Sequence, residues 1–136
     1  MEHVVVVLKP GFLHLYELLK KELQDLGLDM ITSKRLLLDK EQAHFWRQDV
    51  SDKPYYKEMV DYHLSGECIV TLWFGEQAIT KALVFRGNYT DTAQTGFRGK
   101  YGESPVKNVI HVSTKTEWLL DMTVFFPDLL QSETTL

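Results

Sequence analysis

The chain has 136 residues, a length that fits one compact domain and leaves little room for a second. Its 19 acidic residues exceed its 15 lysines and arginines, and the net charge of -4 argues against a nucleic-acid binder while leaving room for a local basic pocket. The single cysteine, Cys68, excludes an intramolecular disulfide framework and agrees with a reducing, cytoplasmic compartment; no apolar run is long enough to span a bilayer, so we expect no membrane partner.

The first part of the chain predicts two strands separated by a helix. Residues 3–8 form a β-branched run without polar alternation, which is typical of a strand buried on both faces, and Pro10 ends it. Apolar residues recur at helical spacing over 12–26, and Gly27 stands where a glycine usually ends a helix. Residues 28–38 predict the second strand.

The middle of the chain predicts two helices and a third strand. Asp39 and Gln42 have the spacing of a capping box, which predicts the start of a short helix. A second helix is expected within residues 54–66, between a proline and a glycine. Residues 68–74 are apolar except for Thr71 and predict the third strand, followed by another short helix.

The last part of the chain contains a long polar segment. Residues 87–107 show no periodicity, so we expect a loop, and a loop of that length in a compact domain usually has a function. Residues 109–112 predict a short fourth strand. Thr114 and Glu117 form a second capping-box pair, which predicts a helix that Pro127 stops.

These elements occur in the order β-α-β-α-α-β-α-loop-β-α. A four-stranded antiparallel sheet with helices packed on it fits this order, which places the chain in the α+β class as a ferredoxin-like α/β sandwich. We expect a single domain over residues 1–130 and a polar C-terminal tail over 131–136.

Three positions carry side chains suited to phosphate chemistry. Lys9 follows a buried strand, where it would either meet a ligand phosphate or be a solvated strand-end lysine. His111 lies between a strand and a helix and is either an acid, base or nucleophile or a structural histidine. Arg98 precedes a glycine in the long loop and fits either an anion contact or a surface turn.

Four further polar or aromatic residues have two interpretations each. Asn108 and Ser113 flank His111 and can bind a phosphate or the imidazole, although a helix cap is the first interpretation for Ser113. Tyr55 and Tyr56 either stack on a nucleobase or pack in the ordinary way. The sequence shows no metal-ligand cluster and no phosphate loop of the known nucleotide-binding types.

Taken together, these residues resemble the nucleoside diphosphate kinase family from the first strand to Pro127. The matching segments are V-V-V-L-K-P, D-K-P-Y-Y-K-E-M-V, L-S-G-E-C-I-V and F-R-G-K-Y-G-E-S-P-V-K-N-V-I-H-V-S. The family signature is an Asn, two apolar residues, the catalytic His, one more residue and a Ser, and residues 108–113 fit it.

The resemblance implies a ping-pong phosphotransferase. His111 would accept the γ-phosphoryl group of a nucleoside triphosphate and pass it to a nucleoside diphosphate, while Lys9 and Arg98 would hold the group in transit. A nucleophilic imidazole must be neutral, and nearby cations favour the neutral form. We therefore expect Lys9 and Arg98 to keep His111 uncharged.

The same resemblance implies the contacts to the rest of the nucleotide. Asn108 would bind a sugar hydroxyl. Tyr55 stands where the family has a stacking Phe, and Met59 stands where a Leu packs beside the base. Magnesium would bridge the phosphates, with few protein ligands of its own.

The chain departs from the family where two residues usually contact the β-phosphate. In place of an Arg and a Thr, it has Leu83 or Val84 and then Tyr89. Arg86 or Thr90 would restore these contacts after a small shift along the chain. Losing one charge-assisted hydrogen bond costs about 1.5–3 kcal/mol, which slows or weakens such an enzyme without abolishing it.

A second departure concerns the residue that orients the catalytic histidine. The family has a Glu in the last helix, whereas Met122 stands at that place, with Asp121 one position before it. We expect Asp121 and Ser113 to form the layer behind the histidine.

Three functions are consistent with these motifs and with the resemblance. The first is a nucleoside diphosphate kinase, the second a kinase of the same fold with a different phosphoryl acceptor, and the third a non-catalytic nucleotide-binding or assembly module. The family forms homo-oligomers through paired strands and its long loop. Because this loop is a few residues shorter than usual, we expect a dimer more than a larger assembly.

Overall fold

The computed structural model describes residues 1–130, so the tail predicted at 131–136 lies outside the described residues. Four strands form one antiparallel sheet in the order β2-β3-β1-β4; they are β1 (Glu2–Leu8), β2 (Asp29–Leu36), β3 (Cys68–Gly75) and β4 (Ile110–Val112). The helices are α1 (Tyr16–Asp25), α2 (Lys40–Trp46), α3 (Tyr56–His63), α4 (Ala78–Arg86), α5 (Gly96–Tyr101) and α6 (Trp118–Phe125). Short 3₁₀ turns occupy Leu13–Leu15 and Gln48–Val50. This arrangement confirms the predicted ferredoxin-like α/β sandwich.

Strand β1 is a central strand buried on both faces, as its unbroken run of β-branched residues predicts. Val4 and Val6 pack with the apolar sides of α1 and α4 on one face of the sheet. Val5 and Val7 pack with α2 and α6 on the other face. The end of β1 is therefore fixed from both sides, and the residue that follows it, Lys9, is held in place.

Local capping signals set the helix ends as predicted. The Gln42 backbone N–H donates to Asp39 Oδ1 at 2.7 Å, and the Asp39 N–H donates to Gln42 Oε1 at 3.0 Å, which completes the capping box of α2. Gly27 has φ +88°, and its N–H donates to the last turn of α1. Reciprocal bonds between Thr114 and Glu117 precede α6.

The prediction of an unstructured loop over 87–107 is wrong. The segment contains helix α5 and an isolated bridge between Tyr89 and Gln94. Gly87 and Gly96 pack backbone to backbone there, and a Cβ on Gly87 would lie 2.0 Å from the Thr95 carbonyl oxygen. Helix α5 has six residues, two of them glycines, so it is too short to show an apolar period.

The end of the chain also differs from the prediction in one respect. Helix α6 ends at Phe125, but residues 127–130 are helical again, so Pro127 begins a new turn as well as ending the previous helix. Among the described residues, no helix combines the length and apolar character needed to cross a bilayer.

Candidate active site

A cavity of about 380 Å³ opens beside the end of β1, between the sheet and the loops that follow α2 and α5. The residues predicted to contact phosphate, sugar and base all line it; they are Lys9, Tyr55, Met59, Arg86, Arg98, Asn108 and His111. A larger groove of about 580 Å³ elsewhere contains none of them. The chemistry of the lining therefore selects the smaller cavity as the candidate site.

His111 is held from behind by a carboxylate. It lies on β4 and is 4% exposed, and its Nε2 donates to Asp121 Oδ2 at 2.7 Å. Its other nitrogen, Nδ1, has no hydrogen-bond partner among the described residues. The tautomer that this geometry favours has its proton on Nε2 and a free lone pair on Nδ1.

Asp121 stands in the place expected for a glutamate one position later in the chain. Its buried carboxylate accepts hydrogen bonds from His111, from Ser113 Oγ at 2.7 Å and from Trp46 Nε1 at 2.7 Å. Although burial alone would raise its pKa, His111 and these hydrogen bonds hold the pKa of Asp121 below its ordinary value. Met122 is instead part of the apolar core.

The interpretation of Ser113 as a helix cap is wrong. Its hydroxyl is fully buried and donates to Asp121 Oδ2 and, more weakly, to the Val5 carbonyl at 3.3 Å. Thr114 supplies the side-chain oxygen that binds the Glu117 N–H before α6. Ser113 therefore fixes the carboxylate that fixes His111.

The environment of His111 keeps its imidazole neutral. Burial is the main cause and lowers the pKa of His111 despite the opposing charge of Asp121. Among the cations, Arg47 lowers this pKa further. The expected neutral histidine is thus supported, but burial and Arg47 are the principal causes, and Lys9 and Arg98 are not among them.

An unusual turn precedes His111. Val109 has φ +81°, a value rare for a β-branched residue, and the Ile110 N–H donates to the Asn108 carbonyl at 3.0 Å across it. The Lys9 N–H donates to the Val109 carbonyl at 2.8 Å. This turn joins the end of β1 to the start of β4 and places Lys9, Asn108 and His111 in one wall of the cavity.

Four cations line the cavity, and none forms an ion pair with a carboxylate of the described residues. Lys9 Nζ donates to Asn108 Oδ1 at 2.6 Å, and Arg98 donates twice to the Ile110 carbonyl, through Nε at 3.0 Å and Nη2 at 2.8 Å. Arg86 Nε donates to the Gly87 carbonyl, and Arg47 Nε donates to a histidine ring. Every hydrogen-bond partner is neutral, so no carboxylate contacts these cations directly, and Glu117 acts on each of them only at longer range.

The pKa values of these cations reflect that arrangement. Burial and then the charges of Arg47, Arg98 and Arg86 lower the pKa of Lys9 well below its ordinary value. Burial and the neighbouring guanidinium groups lower the pKa of Arg98 to about 9, which leaves it charged at neutral pH. Partly buried cations that raise one another's free energy are typical of a site that binds an anion.

Arg47, Asp49 and Glu117 are the charged lining residues that the sequence did not identify as site residues. Arg47 follows Trp46, where the predicted helix ends, but no residue spacing indicated that its side chain lines the cavity. Glu117 was predicted only as a capping partner, and it also faces the cations. The only sequence signal that concerned Arg47 was the Asp39 capping box, because the helix that it predicts ends close to this residue.

The mouth of the cavity is apolar and partly aromatic. Tyr55 is 42% exposed and lines the cavity together with Met59, Pro105 and Val106. Tyr56 instead shares a 2.6 Å hydrogen bond with His44 Nδ1 and does not line the cavity. Of the two aromatic residues singled out in the sequence, only Tyr55 lines the cavity.

The two candidates for the missing β-phosphate contacts are separated. Arg86, at the end of α4, lines the cavity. Thr90 lies outside it, and its Oγ1 accepts a hydrogen bond from the Ala93 N–H at 2.9 Å within its own turn. Only Arg86 is placed to contact a ligand in this cavity.

Comparisons with known proteins converge on one family. The family model described as nucleoside diphosphate kinase matches residues 2–129. A nucleoside diphosphate kinase of Acetivibrio thermocellus is 28% identical, and the match covers 95% of this chain and 98% of that protein. The apo structure of a nucleoside diphosphate kinase from Encephalitozoon cuniculi is similar in fold, with a TM-score of 0.85, 24% identity, and 93% of this chain and 89% of that chain covered. A second similar structure is that of a halophilic nucleoside diphosphate kinase from Halobacterium salinarum in complex with CDP. Its TM-score is 0.84 and its sequence identity 27%, and the match covers 92% of this chain and 87% of that chain.

Proposed function

The chain belongs to the nucleoside diphosphate kinase family, and we propose that it transfers the γ-phosphoryl group of a nucleoside triphosphate to a nucleoside diphosphate through a phosphohistidine at His111. The observation that carries the proposal is one cavity that combines a free Nδ1 on a neutral, oriented imidazole with four cations that form no ion pair with a described carboxylate. Phosphoryl transfer depends mainly on positioning and on stabilising charge, and this cavity supplies both.

In the first step, the lone pair of His111 Nδ1 attacks the γ-phosphorus, and the bond from that phosphorus to the β-phosphate oxygen breaks. The nucleoside diphosphate leaves with the bonding electrons. The imidazole acquires a positive charge while Nε2 keeps its proton, and the Asp121 carboxylate, 2.7 Å away, stabilises that charge. No proton needs to leave the histidine during this step.

In the second step, a terminal phosphate oxygen of the acceptor diphosphate attacks the phosphohistidine, and the N–P bond breaks. His111 returns to its neutral form with the proton still on Nε2. Lys9, Arg86 and Arg98 would hold the phosphates in both steps, since each lines the cavity and none is neutralised by a carboxylate. Arginine forks match the geometry of phosphate oxygens.

The remaining contacts are assigned by position in the cavity. Asn108 donates through Nδ2 to the Pro105 carbonyl at 2.9 Å, which fixes its amide so that Oδ1 faces Lys9 and leaves room for a sugar hydroxyl. Tyr55 and Met59 would pack against the base at the apolar mouth. Ser113 and Asp121 would act through His111 without touching the nucleotide.

We propose that magnesium enters as part of the nucleotide substrate. Among residues 1–130, no three His, Cys, Asp or Glu side chains come together as metal ligands. The cavity contains only Asp49 and Glu117 as carboxylates, and this donor set fits an ion held mainly by phosphate oxygens. Such an ion would neutralise part of the phosphate charge during transfer.

The test is incubation with γ-labelled ATP and magnesium, followed by a chase with nucleoside diphosphates. Wild type should acquire an acid-labile, base-stable label that leaves with the diphosphate, and H111A should acquire none. H14A is the matched control, because His14 is exposed on a 3₁₀ turn away from the cavity. A label that persists through the chase would indicate another acceptor, and the absence of label in wild type would leave a binding module.

We also propose a single domain over residues 1–130, a cytoplasmic location and a homodimer. The free, buried thiol of Cys68 supports a reducing compartment. Strand β2 is an edge of the sheet and exposes Ile31 at 49%, which supports pairing with a second copy. Sedimentation at micromolar concentration should give a dimer, and a monomer would contradict the proposal.

A further inference from the structure

Arg47 is the most buried guanidinium in the cavity among the described residues, at 9% exposure. Its guanidinium carbon lies 4.1 Å from the centre of the Trp46 ring, in a stacked cation–π contact. Its Nε donates to His63 Nε2 at 3.3 Å. Burial and the neighbouring charge of Arg47 lower the pKa of His63 far below its ordinary range, so the ring stays neutral and accepts this bond.

These contacts use only part of the guanidinium. Nη1 and Nη2 donate to no described residue, and neither is sealed from solvent. No carboxylate of residues 1–130 forms an ion pair with Arg47. A buried cation that is oriented by neutral groups and has two unused donors is suited to a planar, bidentate contact with an anion.

Arg47 is also near the reacting histidine. Trp46, on which the guanidinium stacks, packs edge-on against the His111 ring with a centroid distance of 5.1 Å. Arg47 lines the same cavity as His111 and Lys9, and its charge lowers the pKa of both. Trp46 donates to Asp121 as well, so one indole joins the guanidinium, the carboxylate and the nucleophile.

We propose that Arg47 binds the phosphoryl group in transit between the nucleotide and His111, through the two Nη groups that the fold leaves unused. The proposal rests on the phosphotransferase function proposed above. It means that Arg47, at the end of α2, supplies a phosphate-binding charge in a chain that has Leu83 or Val84 where the family has an arginine. His63 is the positioning residue for this contact, because it fixes the plane of the guanidinium through Nε.

The alternative is that Arg47 only stabilises the fold by stacking on Trp46. R47Q removes the charge and the fork while keeping a polar side chain, and R47K keeps a charge without the fork. R35Q is the matched control, because Arg35 is exposed on β2 and pairs with Glu67 away from the site. Each variant is first compared with wild type by its thermal midpoint.

Two readouts separate a phosphate contact from a structural role. The first is the single-turnover rate of phosphorylation at saturating ATP, and the second is the affinity for ATP compared with that for adenosine. We expect R47Q to slow phosphorylation by roughly 10- to 150-fold, the value of one charge-assisted contact, and to weaken ATP binding without changing adenosine binding. R47K should recover part of the loss, and R35Q should match wild type.

Wild-type phosphorylation and ATP affinity in a folded R47Q would overturn the proposal, as would an equal loss of ATP and adenosine binding. If R47Q does not fold, the test uses R47K instead. A wild-type rate of phosphorylation in R47K would overturn the proposed bidentate contact. If wild type itself forms no phosphohistidine, the proposed function fails. In that case a loss in R47Q confined to ATP would still support Arg47 as a phosphate ligand, and an unchanged ATP affinity would overturn it.

Discussion

Replacing Asp121 with Asn should disable the histidine without disturbing nucleotide binding. The carboxylate accepts three hydrogen bonds, and one comes from the Trp46 indole, which can only donate. In D121N the amide oxygen must therefore face Trp46, and the amide NH₂ then faces His111 Nε2. His111 can accept from that group only by moving its own proton to Nδ1, which removes the lone pair that attacks the phosphorus.

The size of the effect follows from the hydrogen bonds involved. To react, the D121N enzyme must keep the proton on Nε2, which forfeits a charge-assisted hydrogen bond of about 1.5–3 kcal/mol. It also leaves two buried donors facing each other, at a further cost of about 1–3 kcal/mol. The sum corresponds to a loss of roughly 10²- to 10⁴-fold in the phosphorylation rate, at about 1.4 kcal/mol per factor of ten.

The assay is rapid-quench phosphorylation under single-turnover conditions, with ADP affinity measured by calorimetry. Asp121 is 1% exposed and does not line the cavity, so ADP affinity should not change. S113A is the matched control: it removes one hydrogen bond to the carboxylate without placing a donor against His111, and its rate should fall between those of wild type and D121N. A wild-type rate in D121N, with the variant folded, would refute the assignment of Asp121 as the orienting group.

Three further predictions concern protons. Because burial lowers the pKa of His111, the acid limb of the phosphorylation rate should have its midpoint below pH about 6.5, and a midpoint at or above that value would contradict the neutral-histidine argument. Burial also lowers the pKa of His63, so below pH about 6.5 the unfolded chain binds a proton that the folded chain does not, and the free energy of unfolding should fall by up to about 1.4 kcal/mol per pH unit as the pH drops. The free energy of unfolding, measured by urea titrations at several pH values, should depend less steeply on pH in H63Q than in wild type. An equal pH dependence in both proteins would exclude His63 as the source. Burial and neighbouring arginines lower the pKa of Lys9, and a bound phosphate reverses part of that shift, so ADP binding should take up protons over the pH range in which free Lys9 titrates. A binding enthalpy that is independent of the buffer at every pH from about 6 to 10 would contradict this.

Much of the fold follows from local patterns in the sequence. The β-branched run of β1 predicts burial on both faces because polar residues are missing from both, and the Asp39 capping box fixes the start of α2 through two adjacent hydrogen bonds. The segment around α5 was not predictable in the same way. Its structure depends on the close approach of Gly87 and Gly96, which lie nine residues apart and have no side chains to carry a pattern.

The candidate site divides along similar lines. The resemblance of residues 108–113 to a family signature located His111 and Asn108, and the structure places both beside Lys9 in one cavity. Arg47 was missed because its orientation depends on a tertiary hydrogen bond to His63 of α3, together with stacking on its neighbour Trp46. Neither the residue type nor its spacing in the sequence indicates that the side chain of an arginine at a helix end lines a cavity.

The carboxylate behind His111 shows why positions in an alignment are a poor test of whether a relative is active. A survey that looked for glutamate at position 122 would find methionine and classify the chain as a degenerate kinase. Yet a side chain shorter by one methylene, supplied one residue earlier, reaches His111 Nε2 at 2.7 Å. Screens for inactive members of such families would make fewer false exclusions if they asked which acidic group lies within hydrogen-bond distance of the histidine, wherever on the helix it originates.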